Sequence, residues 1–509
     1  MSSPALRRIA ALGTAVLLGA LLVPARPATA LEPTPGAPGI GDHYFPKYGN
    51  GGYDVSHYDL SLRYGMKSER LVGDATLTAT ATQDLSQFNL DLQLRALRVW
   101  VDGHRATFTQ GKRELVVVPA TPVTDGQEFR VRVTYDGEPA AVATHGLGGW
   151  WKTSDGAVAA GEPEVATLWF PSNDHPADKA TYDITTNVAA GKQVISNGEL
   201  VDRSRSGERV SWHWRVRQPM ATYLATVVIG DYRIERGRTP GGVRYLYGIS
   251  RHMNPALERA ATRSLYQTPK VVDFFTQRLG FYPFDSAGGT LVNASFGFSL
   301  ENQTRPNYSK VFFQGGKDID VIAHELAHQW WGDTVSVHRW RDIFMNEGFA
   351  TWSSWWYQAT RPSADFTLND IFAETYDNLT DWDEFWEVPI SDPGASKLFD
   401  FAVYYRGAMA VQALRNRIGA STHTELLRQW AAAHRDGNGS LADFEALAET
   451  VSGQDLDTFF AEWLDQPDRP LPSAELGFPD SMLHGRAPHP VPDHLIPSRS
   501  LRHAQRTSS

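Results

Sequence analysis

His324, Glu325 and His328 form the pattern His-Glu-x-x-His, and Glu347 follows after eighteen intervening residues. On a helix, side chains four positions apart lie one above the other, so the imidazoles of His324 and His328 can meet one ion while Glu325 stands one step round from them. Catalytic zinc takes three protein ligands and keeps one position open, which makes Glu347 the expected third ligand, from a second helix. A carboxylate beside such a centre suits general-base work on water, and Glu325 is the candidate. The chemistry implied is hydrolysis of an amide with one zinc ion as cofactor.

The surroundings carry a more specific signal. His324 to Asp333 read His-Glu-Leu-Ala-His-Gln-Trp-Trp-Gly-Asp, followed by Trp340-Arg341-Asp342 and by Phe344-Met345-Asn346-Glu347-Gly348-Phe349-Ala350. Upstream lie Trp169-Phe170-Pro171-Ser172-Asn173-Asp174-His175-Pro176, Gly52-Tyr53-Asp54-Val55 and His57-Tyr58-Asp59-Leu60. Together these segments resemble the aminopeptidase N family of zinc metallopeptidases, the gluzincin aminopeptidases, in a short, secreted bacterial form. The resemblance implies an α+β multidomain fold, in which an N-terminal antiparallel β-saddle domain is followed by a thermolysin-like, mainly α catalytic domain. It also implies removal of residues from the free N-terminus of peptide substrates.

Three more site residues follow from it. Phe298-Ser299-Leu300-Glu301-Asn302 resembles the family's Gly-x-Met-Glu-Asn segment, with Phe298 in place of glycine and Leu300 in place of methionine, and implies that Glu301 anchors the substrate's amine. Val403-Tyr404-Tyr405-Arg406-Gly407 resembles the family's Tyr-x-Lys-Gly segment and implies that Tyr404, rather than Tyr405, is the catalytic phenol that steadies the oxyanion. Gly161-Glu162-Pro163 stands where the family places a first-domain side chain near the amine, so Glu162 pairs with Glu301. Two carboxylates about one ammonium make physical sense, because the cation offsets their repulsion. Thr351, one helical turn beyond Glu347, is placed to orient a ligand or simply to pack. Trp330, Trp331, Trp340, Trp352, Trp355 and Trp356 are expected to fill the core behind the site.

The elements that hold these residues divide at about residue 237. From 41 to 237, alternating segments such as Tyr58–Tyr64 and Phe129–Tyr135 have the period of half-buried strands, with reversals at Asp136-Gly137 and Asn197-Gly198. From 238 to 466, after the loop-like run Arg238–Gly242, the pattern predicts a helix over Pro255–Leu279, short strands over Gly289–Ser299 and the zinc helix over Asp318–Trp331. Further helices are predicted over Asn346–Ala359, Tyr404–Ile418, Thr422–His434, Leu441–Val451 with Ser440 as cap, and Leu456–Leu464.

At the start, Arg7 and Arg8 precede an apolar run of about 15 residues, Ile9 to Val23, and Ala28-Thr29-Ala30 has the small-residue pattern of a cleavage site. Residues 1–30 are therefore expected to be a signal peptide and 31–40 a linker, giving an exported enzyme without a transmembrane anchor. The twin arginines do not settle the export route, because Ile9, Ala10 and Ala11 match that signal poorly. About 40 residues follow Asp465, too few for another ordinary domain. Residues 467–509, rich in proline, histidine, arginine and serine, are expected to form a disordered tail with His484, His489, His494 and His503 in solvent. A cleft without a further domain over it would be more open.

The chain has no cysteine, which excludes thiol catalysis and cysteine-ligated zinc. A net charge of −10 without a basic footprint argues against nucleic acid as a partner. Two other functions fit parts of the pattern. An endopeptidase would share the metal set without needing Glu301, and a non-catalytic peptide-binding protein on the same fold would be expected to have lost a ligand or the base. Preferred first residue and oligomeric state are not legible.

Overall fold

The computed structural model describes residues 32–142, 147–485 and 488–496; the signal peptide expected over 1–30 lies outside them. The first half is built on an eight-stranded sheet. Its order is Glu199–Ser206, Arg209–Ala221, Lys179–Ala189, Tyr53–Tyr64, Leu71–Ala81, Glu128–Gly137, Arg95–Val101 and His104–Arg105. Neighbours run antiparallel except Lys179–Ala189 and Tyr53–Tyr64, which pair in parallel. The alternation read from Tyr58–Tyr64 persists along Tyr53–Tyr64, where Val55, Tyr58, Leu60, Leu62 and Tyr64 are buried and the residues between face outward. That single apolar face demands a second layer. In a four-stranded sheet of Gly149–Lys152, Ala157–Ala160, Val227–Gly230 and Gln193–Ser196, the two inner strands, Ala157–Ala160 and Val227–Gly230, are buried along their whole length, and Glu162 follows just beyond Ala160.

Of the two expected reversals, Asn197-Gly198 links Gln193–Ser196 to Glu199–Ser206, with Gly198 at φ +70°. Asp136-Gly137 does not turn. Both residues continue their strand opposite Val72 and Leu71, because Arg70 and Arg95 pair with Asp136 and make its carboxylate tolerable on a sheet. The boundary at 237 is also corrected. Tyr232–Arg238 pairs with Arg244–Ser250, which is bonded in turn to Ser286–Val292, so this strand belongs to the sheet of the second half and Arg238–Gly242 is its hairpin. Likewise the supposed linker contains Thr34–Pro35, which pairs with Leu85–Asp91.

In the second half, the helix expected over Pro255–Leu279 is two helices, α1 (Pro255–Leu265) and α2 (Thr268–Leu279). Pro269 lacks an N–H and its ring would clash with the carbonyl of Leu265, so one continuous helix cannot form. One strand, Ser286–Val292, replaces the strands expected over Gly289–Ser299. Then come α3 (Asp320–Ala327), α4 (Phe344–Ala359), α5 (Leu368–Leu379), α6 (Asp383–Trp386), α7 (Phe401–Ile418), α8 (Ala420–Ala433) and α9 (Leu441–Ser452). Ser440 caps α9 in a reciprocal box with Asp443. A last short helix, Asp457–Phe460, widens into a π turn over Ala461–Asp465. The buried Arg406 of α7 makes five N–H bonds at 2.6–3.2 Å, to the carbonyl oxygens of Glu462 and Trp463 in this turn, of Gln466 just after it, and of Trp386 and Val388.

The segment expected to be a free tail is packed as far as it is described. Leu476, Phe478, Val491, Leu495 and Ile496 are buried, and Phe478 stacks on Trp463 at 5.6 Å. Tyr376 donates to the carbonyl of Pro470 and Trp463 to that of Leu476. Apolar burial at these few positions outweighs the local composition, which carries no periodicity. Among the described residues, no helix is long and apolar enough to cross a membrane.

Candidate active site

All seven residues singled out above, Glu162, Glu301, His324, Glu325, His328, Glu347 and Tyr404, line one cleft of about 520 Å³. Helix α3 carries His324 and Glu325 and ends on His328; α4 carries Glu347 in its first turn. The Nε2 atoms of His324 and His328 lie 3.0 Å apart, and Glu347 Oε2 is 3.2 Å from the first and 3.4 Å from the second. His328 Nδ1 donates to the carbonyl oxygen of Trp331 at 2.8 Å, which keeps a proton on Nδ1 and turns Nε2 towards the common centre. The hydroxyl of Thr351 lies 3.4 Å from His324 Nδ1, behind the other imidazole. Two nitrogens and one oxygen within 4.8 Å of one another, buried and oriented from behind, fit a zinc ion. Burial opposes ionisation of Glu347, yet the imidazoles of His328 and His324 prevail and hold it down at about 2, as an anionic ligand requires.

Glu325 faces the same space and is nearly wholly buried. Burial raises its pKa well above the usual carboxylate range, Glu301 and Glu347 push the same way, and His328 opposes them. Burial also raises Glu162, with Glu301 and Glu347 adding to it. Glu301 is raised by burial and Glu347, with His328 and the Tyr223 hydroxyl easing it. Glu162 and Glu301 each bury an Oε1 that has no hydrogen-bond partner in the protein.

The backbone at Glu301 is tightly held. Leu300 and Asn307 exchange backbone hydrogen bonds at 3.0 and 2.8 Å. The Asn302 amide donates to the carbonyl of Leu224, and Asn307 donates to Asn302 Oδ1 at 2.6 Å. Gln329, just after the ligand helix, donates to the carbonyl of Glu301 and accepts from the N–H of Thr304 at 2.7 Å. Phe298 packs with Phe296 and Trp151 at one edge of the cleft.

Helix α7 places both tyrosines in the wall, in different company. Tyr404 stacks against His324, while Tyr405 packs with Phe401 and Trp355. Burial and then the charges of Glu347, Glu162, Glu301 and Glu325 raise the Tyr404 phenol well above its ordinary pKa, so its O–H remains a donor. Helices α4 and α7 touch at Gly348 and Gly407, where a Cβ on Gly348 would come 2.8 Å from the Cα of its neighbour. All six tryptophans are buried as expected, and Trp355 in addition lines the cleft.

Four contributors are not among the predicted site residues: Tyr223, Gln329, Asp320 and His494. Tyr223 comes from the first half, where no spacing links it to Glu301. Gln329 carried a signal, standing next to the second histidine. His494, expected in a solvated tail, lines the cleft from the C-terminal segment, while His503 lies outside the described residues.

Comparison with known proteins matches residues 55–224 to the peptidase M1 N-terminal domain and residues 310–463 to the peptidase family M1 domain. Aminopeptidase N of Lactococcus lactis subsp. cremoris is 26% identical over 456 residues, covering 82% of this chain and 51% of its own length. Aminopeptidase M1 of Arabidopsis thaliana is 26% identical over 342 residues, covering 63% of this chain and 38% of its own. The chain thus spans about half, or less, of the length of these curated relatives. An M1 zinc metallopeptidase from Deinococcus radiodurans superposes with a TM-score of 0.76 at 25% identity, covering 86% of this chain and 98% of that one. A variant of that protein has been solved bound to a Tyr-Ser-Ala substrate.

Proposed function

The chain belongs to peptidase family M1, and from that premise we propose that it is a secreted zinc aminopeptidase that hydrolyses the first peptide bond of peptides bearing a free amino terminus. The observation that carries this reading is the crowd of buried acids. Glu162, Glu301, Glu325 and Glu347 share one cleft, and two of them bury oxygens that no protein group satisfies. Such a cluster calls for cations, namely a divalent metal at the ligand triad and an ammonium between Glu162 and Glu301.

His324, His328 and Glu347 would hold the zinc, which when bound supplies Lewis acidity at a carbonyl and makes a neighbouring water more acidic. Glu325 takes the proton of the attacking water at its carboxylate and hands it to the leaving amine. Its raised proton affinity suits both halves of that exchange. Tyr404 donates its O–H to the oxygen on which negative charge grows. Glu162 and Glu301 accept hydrogen bonds from the ammonium and so register the first peptide bond against Glu325. This positioning makes the enzyme an exopeptidase.

The test compares one peptide with a free and with an acetylated N-terminus, with and without a chelator. Cleavage of the free form alone, lost to the chelator and restored by zinc, is expected. Equal cleavage of both forms would make the enzyme an endopeptidase and sink the reading. Export rests on the basic, apolar and small-residue pattern of residues 1–30, and is tested by sequencing the N-terminus of protein recovered from the medium.

A further inference from the structure

The cleft holds a second acidic pair that this chemistry leaves unused. Asp320, His324 and His328 are spaced four apart and lie on one face of α3 and its last turn. At a rise of 1.5 Å per residue, Asp320 stands about 12 Å from His328 along the axis. Glu301 belongs to the His328 end, since Gln329 holds its carbonyl and His328 is the leading charge acting on its carboxylate. Asp320 belongs to the opposite end. A peptide whose ammonium is held at Glu301, and whose first carbonyl reaches the ligand triad, must send its second residue towards Asp320. A residue of extended chain advances roughly 3.3–3.6 Å, so a long side chain on that second residue spans the remaining distance.

The chemistry there suits a cation on an aliphatic stem. Asp320 Oδ1 is shielded from solvent and has no hydrogen-bond partner. Burial and the like charge of Asp318 push the Asp320 carboxyl up to about 7, with the Ser354 hydroxyl easing it. Asp318 accepts from the N–H of Val321 at 3.1 Å and is faced by His494 of the C-terminal segment. Tyr405, which feels both aspartates, stacks on Phe401 and tilts against Trp355, giving an aromatic wall along which methylene groups can lie.

We propose that Asp320, backed by Asp318, is a specificity-determining subsite for a basic side chain on the residue after the scissile bond, so that lysine or arginine is favoured at the second position of the substrate. This rests on the aminopeptidase reading above.

The experiment measures kcat/KM for Ala-Lys-Ala and Ala-norleucine-Ala, which differ at the second position by the ammonium alone. Wild type is expected to favour lysine about tenfold, as a desolvated charge pair would give, and Asp320→Asn to bring the ratio close to one. A merely structural role for Asp320 would slow both peptides alike and leave the ratio unmoved. Equal rates in wild type, or a ratio that survives Asp320→Asn, overturns the proposal; should that variant not fold, Asp318→Asn is judged by the same ratio. Calorimetric binding of both peptides to a Glu325→Gln variant separates the two readings. Preferential binding of the lysine peptide without turnover by wild type keeps the subsite and removes the aminopeptidase; turnover without preference does the reverse.

Discussion

Tyr404 stacks on His324, with ring centroids 6.1 Å apart and planes 20° from parallel. The contact sets Tyr404 against the ligand triad, whereas Tyr405 packs with Phe401 and Trp355. Tyr404→Phe is therefore expected to lower kcat by about 10²–10³, the cost of one lost oxyanion donor, with KM little changed. Tyr405→Phe should cost far less in kcat. Steady-state kinetics of the two variants check this, and a reversed order would move the catalytic role to Tyr405.

Thr351 stands behind His324 at 3.4 Å, the long end of a hydrogen bond. Loss of a partner to a ligating imidazole typically weakens a metal site by about 10–100-fold, and the long contact places Thr351→Val near the lower figure. Competition with a zinc chelator measures it. Affinity equal to wild type would leave Thr351 a packing residue. His328→Ala, by contrast, should abolish stoichiometric zinc.

Glu301→Gln and Glu162→Gln should each raise KM for free peptides. Removing one partner of a buried, hydrogen-bonded charge costs about 2–5 kcal/mol, hence roughly 30-fold or more in kcat/KM. Turnover at saturating free peptide should fall much less than kcat/KM. A loss confined to kcat, with KM unchanged, would deny these carboxylates the amine-binding role.

In the first half of the chain, Glu114 buries both carboxylate oxygens without a partner. Burial raises its pKa from 4.5 to about 7, against the opposing charges of Arg113 and Lys47. A carboxyl that binds its proton more tightly when folded costs stability as pH rises. The cost is absent below about 4.5, grows through the interval and is complete above about 7. Glu114→Gln should thus raise Tm by about 1 °C at pH 8 for each kcal/mol relieved, since the entropy of unfolding grows with chain length, and much less at pH 4. Thermal unfolding at the two pH values decides, and a gain of equal size at both would contradict the assignment.

Phe478 lies against Trp463, Phe372 and Tyr376. Phe478→Ala should cost about 3–5 kcal/mol, the range for a buried aromatic truncated to alanine, seen as a lower denaturant midpoint. An unchanged midpoint would restore the free tail that composition suggests.

The three metal ligands and their base were legible because they act at short range, two on one helical face and two within reach of it. Strands such as Tyr53–Tyr64 were legible because one buried face imposes a period of two. What escaped depends on partners distant in sequence. Asp136-Gly137 has the composition of a turn, yet Arg95 of a neighbouring strand and Arg70 just before another keep it extended. The segment beyond Pro467 hides five anchoring side chains among prolines, and Trp463, Phe372 and Tyr376, the partners of one of them, Phe478, carry no mark of it. Asp320 is one turn from His324, but only the cleft shows that its oxygen lacks a partner.

At Gly348 and Gly407, α4 and α7 meet spine to spine, with no side chain between them to yield. One helix bears Glu347 and the other Tyr404, so the spacing of acid and phenol is set by main-chain contact. It will be the same for a small first residue as for a large one. Adjustment to the cargo is left to the rim, and a single added methyl at either glycine would widen the gauge of the whole machine.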